Sequence, residues 1–217
     1  VVVPENTPTG TPVGVQVAAT DRDEGANGAV AYAIIAGNTG SAFAVDATTG
    51  VVTVARRLDF ENVVAYSLTV RASDRNGAGA DAGARFVDTR VVVSLVDTND
   101  EPPVFDADLG LATVLENEAA GALVAAPFAT DADVSAGFNR VSYSITAGND
   151  AGAFVIDAAT GVVRTAVALD REATAAYNLT VQAADNDDPP LTATVVVPVH
   201  VQDTNDNDPV FDQAVYQ

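Results

Sequence analysis

DTNDEPPVF at 97–105 and DTNDNDPVF at 203–211 decide how this chain is read. One acidic, proline-closed segment written twice marks an internal repeat, and a repeat unit defines the fold before any single element does. Working outward, Glu5-Asn6 recurs as Glu116-Asn117, 111 residues on. Phe43, Asp46 and Thr49-Gly50 recur as Phe154, Asp157 and Thr160-Gly161. Leu58-Asp59 with Glu61, Tyr66 and Asp74 return as Leu169-Asp170 with Glu172, Tyr177 and Asp185. The offset then shortens, which puts an insertion in repeat one between Asp74 and Asp97. The Gly/Ala-rich NGAGADAGA at 76–84 is its natural place, as a longer loop.

The unit length suits one small domain, and 217 residues hold two of them. Repeat one takes 1–100, a linker 101–103, repeat two 104–206, and 207–217 would be a linker with the start of a third repeat. Within each repeat the pattern is β. YSLTV at 66–70 and YNLTV at 177–181 alternate apolar with polar residues at period two. RVVVSLV at 90–96 and TVVVPVHV at 194–201 read as last strands, with Val91, Val93, Leu95, Val197, Val199 and Val201 facing inward. Further short strands fit 13–19, 29–35, 42–45 and 51–55. The expected fold is all-β: two tandem seven-stranded Greek-key sandwiches, antiparallel and arranged end to end. Tyr32, Tyr66, Phe43, Tyr143, Tyr177 and Phe154 belong to the cores.

Formal net charge is −20, from 30 acidic residues against ten arginines and no lysine. That field repels phosphate backbones and anionic lipid and suits cations. Cysteine is absent, which removes disulfides, zinc–thiolate sites and thiol catalysis together. No apolar run is long enough to cross a bilayer, so neither nucleic acid nor direct membrane insertion is expected.

The acids gather at strand ends. Counting strands puts TDRD (20–23) and SDRN (73–76) at one pole of repeat one, and PEN (4–6), LDFE (58–61) and DTND (97–100) at the other. End-to-end stacking would collect Glu5, Asp59, Glu61, Asp97 and Asp100 with Asp131, Asp133 and Asp185 of repeat two. Two charges ~5 Å apart at an effective dielectric near 20 repel by roughly 3 kcal/mol. Arg56 and Arg57 are too few to neutralise eight carboxylates. Hard oxygen ligands in this number select a hard divalent cation, and Ca²⁺ accepts 6–8 of them in flexible geometry. DRDEGANG at 21–28 and DADVSAGFN at 131–139 lack the closing Glu of the helical calcium loop.

Taken together and in this order, PEN, DxD, LDRE, AxD and DxNDxxPxF resemble the extracellular cadherin repeat across nearly the whole chain. The resemblance implies up to three Ca²⁺ at the middle junction. Glu5, Asp59, Glu61 and Asp100 would bind the outermost ion. The middle ion would take Glu5, Glu61, Asp97, the Thr98 carbonyl and Asp133. Asn99, the Glu101 carbonyl, Asp131, Asp133, Asp185 and the Asn139 carbonyl would hold the innermost. Phe60 replaces the Arg of LDRE, at a position that does not ligate. Asp21, Asp23 and Asp74 would form a partial terminal site, as would Glu116, Asp170, Glu172, Asp203, Asn205 and Asp206. Clusters at both ends, with VFDQAVYQ at 210–217 as a first strand, suggest an internal piece of a longer array.

The implied function is a calcium-dependent cell-surface adhesion or spacer module, extracellular and part of a membrane-anchored protein. Its partners would be neighbouring repeats and a homophilic or heterophilic cadherin. Whether these repeats adhere or only space others stays open, as does a microbial surface adhesin with cadherin-like repeats. An enzyme is not expected: paired carboxylates would suit a glycosidase, but tryptophan is absent and no nucleophile–His arrangement exists. The lack of Trp also removes adhesion by exchange of a Trp-anchored first strand. His200 and Asn178 alternate with core residues and point outward. Asn178-Leu179-Thr180 is the one glycosylation sequon, a candidate for modification. Pro198 cannot donate to a ladder, so its strand should be open on one side there.

Overall fold

The computed structural model describes residues 1–74, 85–106, 109–210 and 212. It divides into two units: Val1–Asn99 with Asp133–Ser135, and the remainder from Asp100 onward. The expected loop at 76–84 and most of the expected strand at 210–217 lie outside the described residues.

Among the described residues the first unit contains seven strands: β1 (Val2–Pro4), β2 (Pro12–Gln16), β3 (Ala31–Ala36), β4 (Phe43–Val45), β5 (Val51–Val54), β6 (Ala65–Ser73) and β7 (Phe86–Val96). They form two sheets, ordered β1-β7-β6-β3 and β2-β5-β4. The period-two alternation turns one side of each strand inward. Leu68, Val70, Val91, Val93 and Leu95 are accordingly buried, with Val52, Val54 and Leu58 from the facing sheet and its following turn.

The second unit contains β8 (Val104–Phe105), β9 (Ala112–Leu115), β10 (Leu123–Ala125), β11 (Ala129–Thr130), β12 (Ser142–Ala147), β13 (Phe154–Ile156), β14 (Val163–Thr165), β15 (Ala176–Ala184) and β16 (Thr192–Gln202). Sheets β9-β16-β15-β12 and β10-β14-β13 repeat the first unit's order. The additional pair β8·β11 comes from the proline-closed segment, where Phe105 lies opposite Ala129. Leu179, Val181, Val197, Val199 and Val201 form the second core.

Neither large sheet is wholly antiparallel. β1 runs parallel to β7, and β9 parallel to β16. Seven strands is an odd number, so a chain that alternates direction ends running as it began. Its first strand can therefore join the last only in parallel.

The aromatic residues repeat in position and in contact. Phe43 meets Tyr66 edge-on at 5.0 Å, and Phe154 meets Tyr177 at 4.9 Å. Tyr32 and Tyr143 accept hydrogen bonds at Oη from the backbone N–H of Ala19 (2.7 Å) and Ala129 (2.8 Å), which satisfies a phenol inside each core. Gly37 (φ +76°) and Gly148 (φ +79°) follow the bulges that end β3 and β12. A Cβ at either would stand 1.9 Å from the carbonyl oxygen of Ser67 or Asn178.

Pro198 sits one residue before the ladder that β9 makes along Val199–Gln202 of β16. Its strand is open on that side, as a residue without an N–H requires. No described helix is long and apolar enough to cross a membrane.

Candidate metal centre

The site in the first unit is built around Glu5, which follows β1 at the start of a turn and is 1% exposed. A carboxylate that deep needs donors for both oxygens. One oxygen accepts the backbone N–H of Phe60. The other accepts the N–H of Thr98 at 2.8 Å and its hydroxyl at 3.2 Å. Asn6 donates its side-chain amide to the Thr98 hydroxyl at 2.8 Å. PEN, LDFE and DTND thus meet at one pole, as strand counting requires. Asp59 caps its own turn through the Asn62 N–H at 2.8 Å.

Beyond Glu5, carboxylate oxygens of Glu61, Asp97 and Asp133 lie within 4.8 Å of one another. Asp97 and Asp133 are 7% and 2% exposed. One Asp97 oxygen accepts the Ser135 N–H. The second, and Oε1 of Glu61, are buried without a hydrogen bond. Burial, together with the charges of Glu5 and Asp97, pushes the Glu61 carboxyl up to about 7. Carboxylates buried this close to one another repel, and the two unsatisfied oxygens of Glu61 and Asp97 carry a desolvation cost. An all-oxygen donor set of this kind fits a hard divalent cation.

The second unit repeats the scaffold with a different charge balance. Glu116, 2% exposed, accepts the N–H groups of Thr204 (2.8 Å) and Arg171 (2.7 Å). Those two backbone donors hold its carboxyl below the ordinary range. Carboxylate oxygens of Glu116, Asp170 and Glu172 lie within 4.8 Å of one another. Arg171 reaches Asp203 at 3.4 Å and Glu172 at 3.5 Å. Phe60, at the matching place in the first unit, instead packs against the core.

The remaining candidates are placed as follows. Asp185 is 4% exposed and accepts the N–H groups of Asp187 and Leu191, both at 3.0 Å. Asp131 and Asn139 line a cavity of about 300 Å³ in the second unit. Asn99, Asp100 and Glu101 are half-buried. Asp74 is buried and accepts the Arg85 N–H at 2.8 Å. With Asp21 it lines a cavity of about 200 Å³. Asp23 is exposed and donates its N–H to Asp21. Asp203, Asn205 and Asp206 are exposed, and Asp206 accepts the Asn117 amide at 2.6 Å.

Sequence reading gave Asn6, Asn117 and Ser135 no part in this arrangement. The recurrence of Asn in PEN and LEN was the available signal for the first two. Position 60 or 171 contributes its backbone N–H to the buried Glu, which is why Phe and Arg both occur there. Asp46 and Asp157 are structural acids capping the TTG and ATG turns: the Thr49 N–H and hydroxyl with the Thr48 N–H lower the Asp46 carboxyl, and the Thr160 hydroxyl, then the N–H groups of Thr160 and Ala159, lower that of Asp157.

The cadherin domain model matches residues 1–95 and 111–202. The chain belongs to the cadherin family. Among its relatives, mouse Protocadherin Fat 4 is 41% identical over 216 residues, 99% of this chain and 4% of that protein. Mouse Cadherin EGF LAG seven-pass G-type receptor 2 is 40% identical over 215 residues, again 99% of this chain but 7% of that protein. Among solved structures, mouse Cadherin-23 EC22-24 superposes with a TM-score of 0.79 at 33% identity, covering 94% of this chain and 62% of that one. The Protocadherin GammaB4 extracellular domain gives 0.78 at 32% identity, covering all of this chain and 33% of that one. These cadherin repeats thus span a small fraction of the relatives' length.

Proposed function

We propose that these two repeats are a calcium-stiffened module of a cell-surface adhesion protein, working as spacer and presenter and not as an enzyme. The observation that carries this reading is the cluster of Glu61, Asp97 and Asp133, with buried carboxylate oxygens of Glu61 and Asp97 that no hydrogen bond satisfies. Family membership supports it.

A bound Ca²⁺ would bridge these carboxylates and offset their mutual repulsion. Glu5 and Glu61, with Asp59 and Asp100, would hold an outer ion. Asp97 and Asp133, with the Thr98 carbonyl, would complete a middle one. Asn99, the Glu101 carbonyl, Asp131, Asp133, Asp185 and the Asn139 carbonyl would serve an inner one. Asp21, Asp23 and Asp74, and Glu116 with Asp170, Glu172, Asp203, Asn205 and Asp206, would form partial sites toward further repeats. The proposed partition is repeat one at 1–100, a ligand-bearing linker at 101–103, and repeat two at 104–206.

In this reading the chain's own residues have two roles. Backbone N–H groups of Phe60 and Thr98 fix the Glu5 carboxylate in place whether or not a cation is present. The less satisfied Glu61 and Asp97 repel each other until a cation is shared. Filling the sites joins loops from both repeats and makes the pair one rod. The module would sit outside the plasma membrane, with neighbouring repeats and other cadherins as partners.

Calcium titration by calorimetry tests the assignment. Wild type should bind more than one ion, and Asp100→Ala should lose affinity at least tenfold at one site. Identical titrations of the two proteins would refute the ligand roles.

A further inference from the structure

The sequon Asn178-Leu179-Thr180 has no role in the metal centre, and the two long strands around it carry no formal charge. In a chain of net charge −20, β15 and β16 together carry no Asp, Glu or Arg. The matching strands of the first unit carry Arg71, Asp88 and Arg90, with Arg71 and Asp88 paired at 2.8 Å. Asn178 stands in the sheet order β12-β15-β16-β9 on an inner strand. It is exposed, while Leu179 is fully buried. Period-two alternation puts Asn178 and Thr180 on the same outward face.

The residues directly flanking Asn178 are small or ring-closed. Across the ladder stands Pro198. On the other flank is Gly148, whose φ of +79° and close approach to the Asn178 carbonyl keep that position without a side chain. The positions directly flanking Asn178 are thus a proline and a glycine, and a group on its exposed amide points away from the core side of the strand.

We propose that Asn178 is an N-glycosylation site and that its glycan covers the uncharged face of the second repeat. The inference rests on the extracellular reading above. The co-reactant is a lipid-diphosphate-linked oligosaccharide. Nδ2 of Asn178 forms a bond to C1 of the terminal sugar and loses one proton. The C1–O bond to the diphosphate breaks, and the lipid diphosphate leaves with that electron pair. Cover of this face directs protein contacts of the second repeat to its other surfaces.

The test is expression of the whole chain behind a secretion signal in cultured animal cells, with its mass read in both medium and membrane lysate. A single-step mass increase is expected, removed by peptide-N-glycosidase and absent from both Asn178→Gln and Thr180→Ala. Protein that enters the secretory pathway at its unmodified mass, with a wild-type melting curve, overturns the proposal. Persistence of the mass step in both variants overturns it equally. Melting the same samples in calcium and in chelator reads the metal reading separately. A glycan without a calcium response would refute that reading alone, and a calcium response without a glycan would refute this one alone.

Discussion

Glu61→Gln should stabilise the ion-free protein and weaken the calcium-bound one. The substitution keeps the shape of the side chain and removes one charge from a cluster whose oxygens lie within 4.8 Å of one another. At that separation and an effective dielectric near 20, each like-charge pair costs about 3.5 kcal/mol. Partial exposure and salt reduce the recoverable part to about 1–2 kcal/mol. For a domain of this size that corresponds to roughly 5–10 °C in melting temperature. Scanning calorimetry in chelator at pH 8 should therefore show the variant melting higher than wild type. In millimolar CaCl₂ the order should reverse, because the variant has lost a ligand. The pH dependence gives an internal check. The Glu61 carboxyl is raised from 4.5 to about 7 in the folded state. Between those values the folded form binds the extra proton, so ion-free stability falls as pH rises through them. Wild type in chelator should lose stability from pH 5 to pH 8, and the variant should lose less. A variant that melts lower than wild type in chelator at pH 8 would refute the reasoning.

Other expectations follow from the same geometry. Phe60→Arg should supply the counter-charge that Arg171 provides in the second unit, raising the ion-free melting temperature and shrinking the calcium response; an unchanged response in differential scanning fluorimetry would contradict this. Leu68→Ala and Leu179→Ala each empty a fully buried site and should cost about 2–5 kcal/mol in urea unfolding. Gly37→Ala forces a Cβ against the Ser67 carbonyl at positive φ and should lower stability by more than ~1 kcal/mol, which thermal melting reads directly.

Much of this was legible because the repeat supplies its own control. Leu68 and Leu179 recur in one register of an alternating strand, and both are fully buried. The poles followed from strand counting, and Glu5 does meet the LDFE and DTND segments through hydrogen bonds to Phe60 and Thr98. The parallel pairing of β1 with β7 was not anticipated. Strand pattern is blind to direction, and the odd strand number was the clue available. The β8·β11 pair escaped because two-residue strands leave no periodicity to read. Asn6 and Ser135 were missed for another reason. They act through a side-chain amide and a backbone N–H, whereas acid counting sees only carboxylates. The raised carboxyl of Glu61 and the lowered carboxyl of Glu116 arise from burial and from backbone donors that only the fold creates.

The central claim is that the carboxylate clusters are cation sites and not a solvated acidic surface. A thermal melt of the wild-type chain in millimolar CaCl₂ against the same sample in chelator tests it most directly. Binding to the folded state alone adds about 2.7 kcal/mol per site at a hundredfold excess over Kd, so an upward shift of roughly 10 °C or more is predicted. Coincident melting curves would contradict the account.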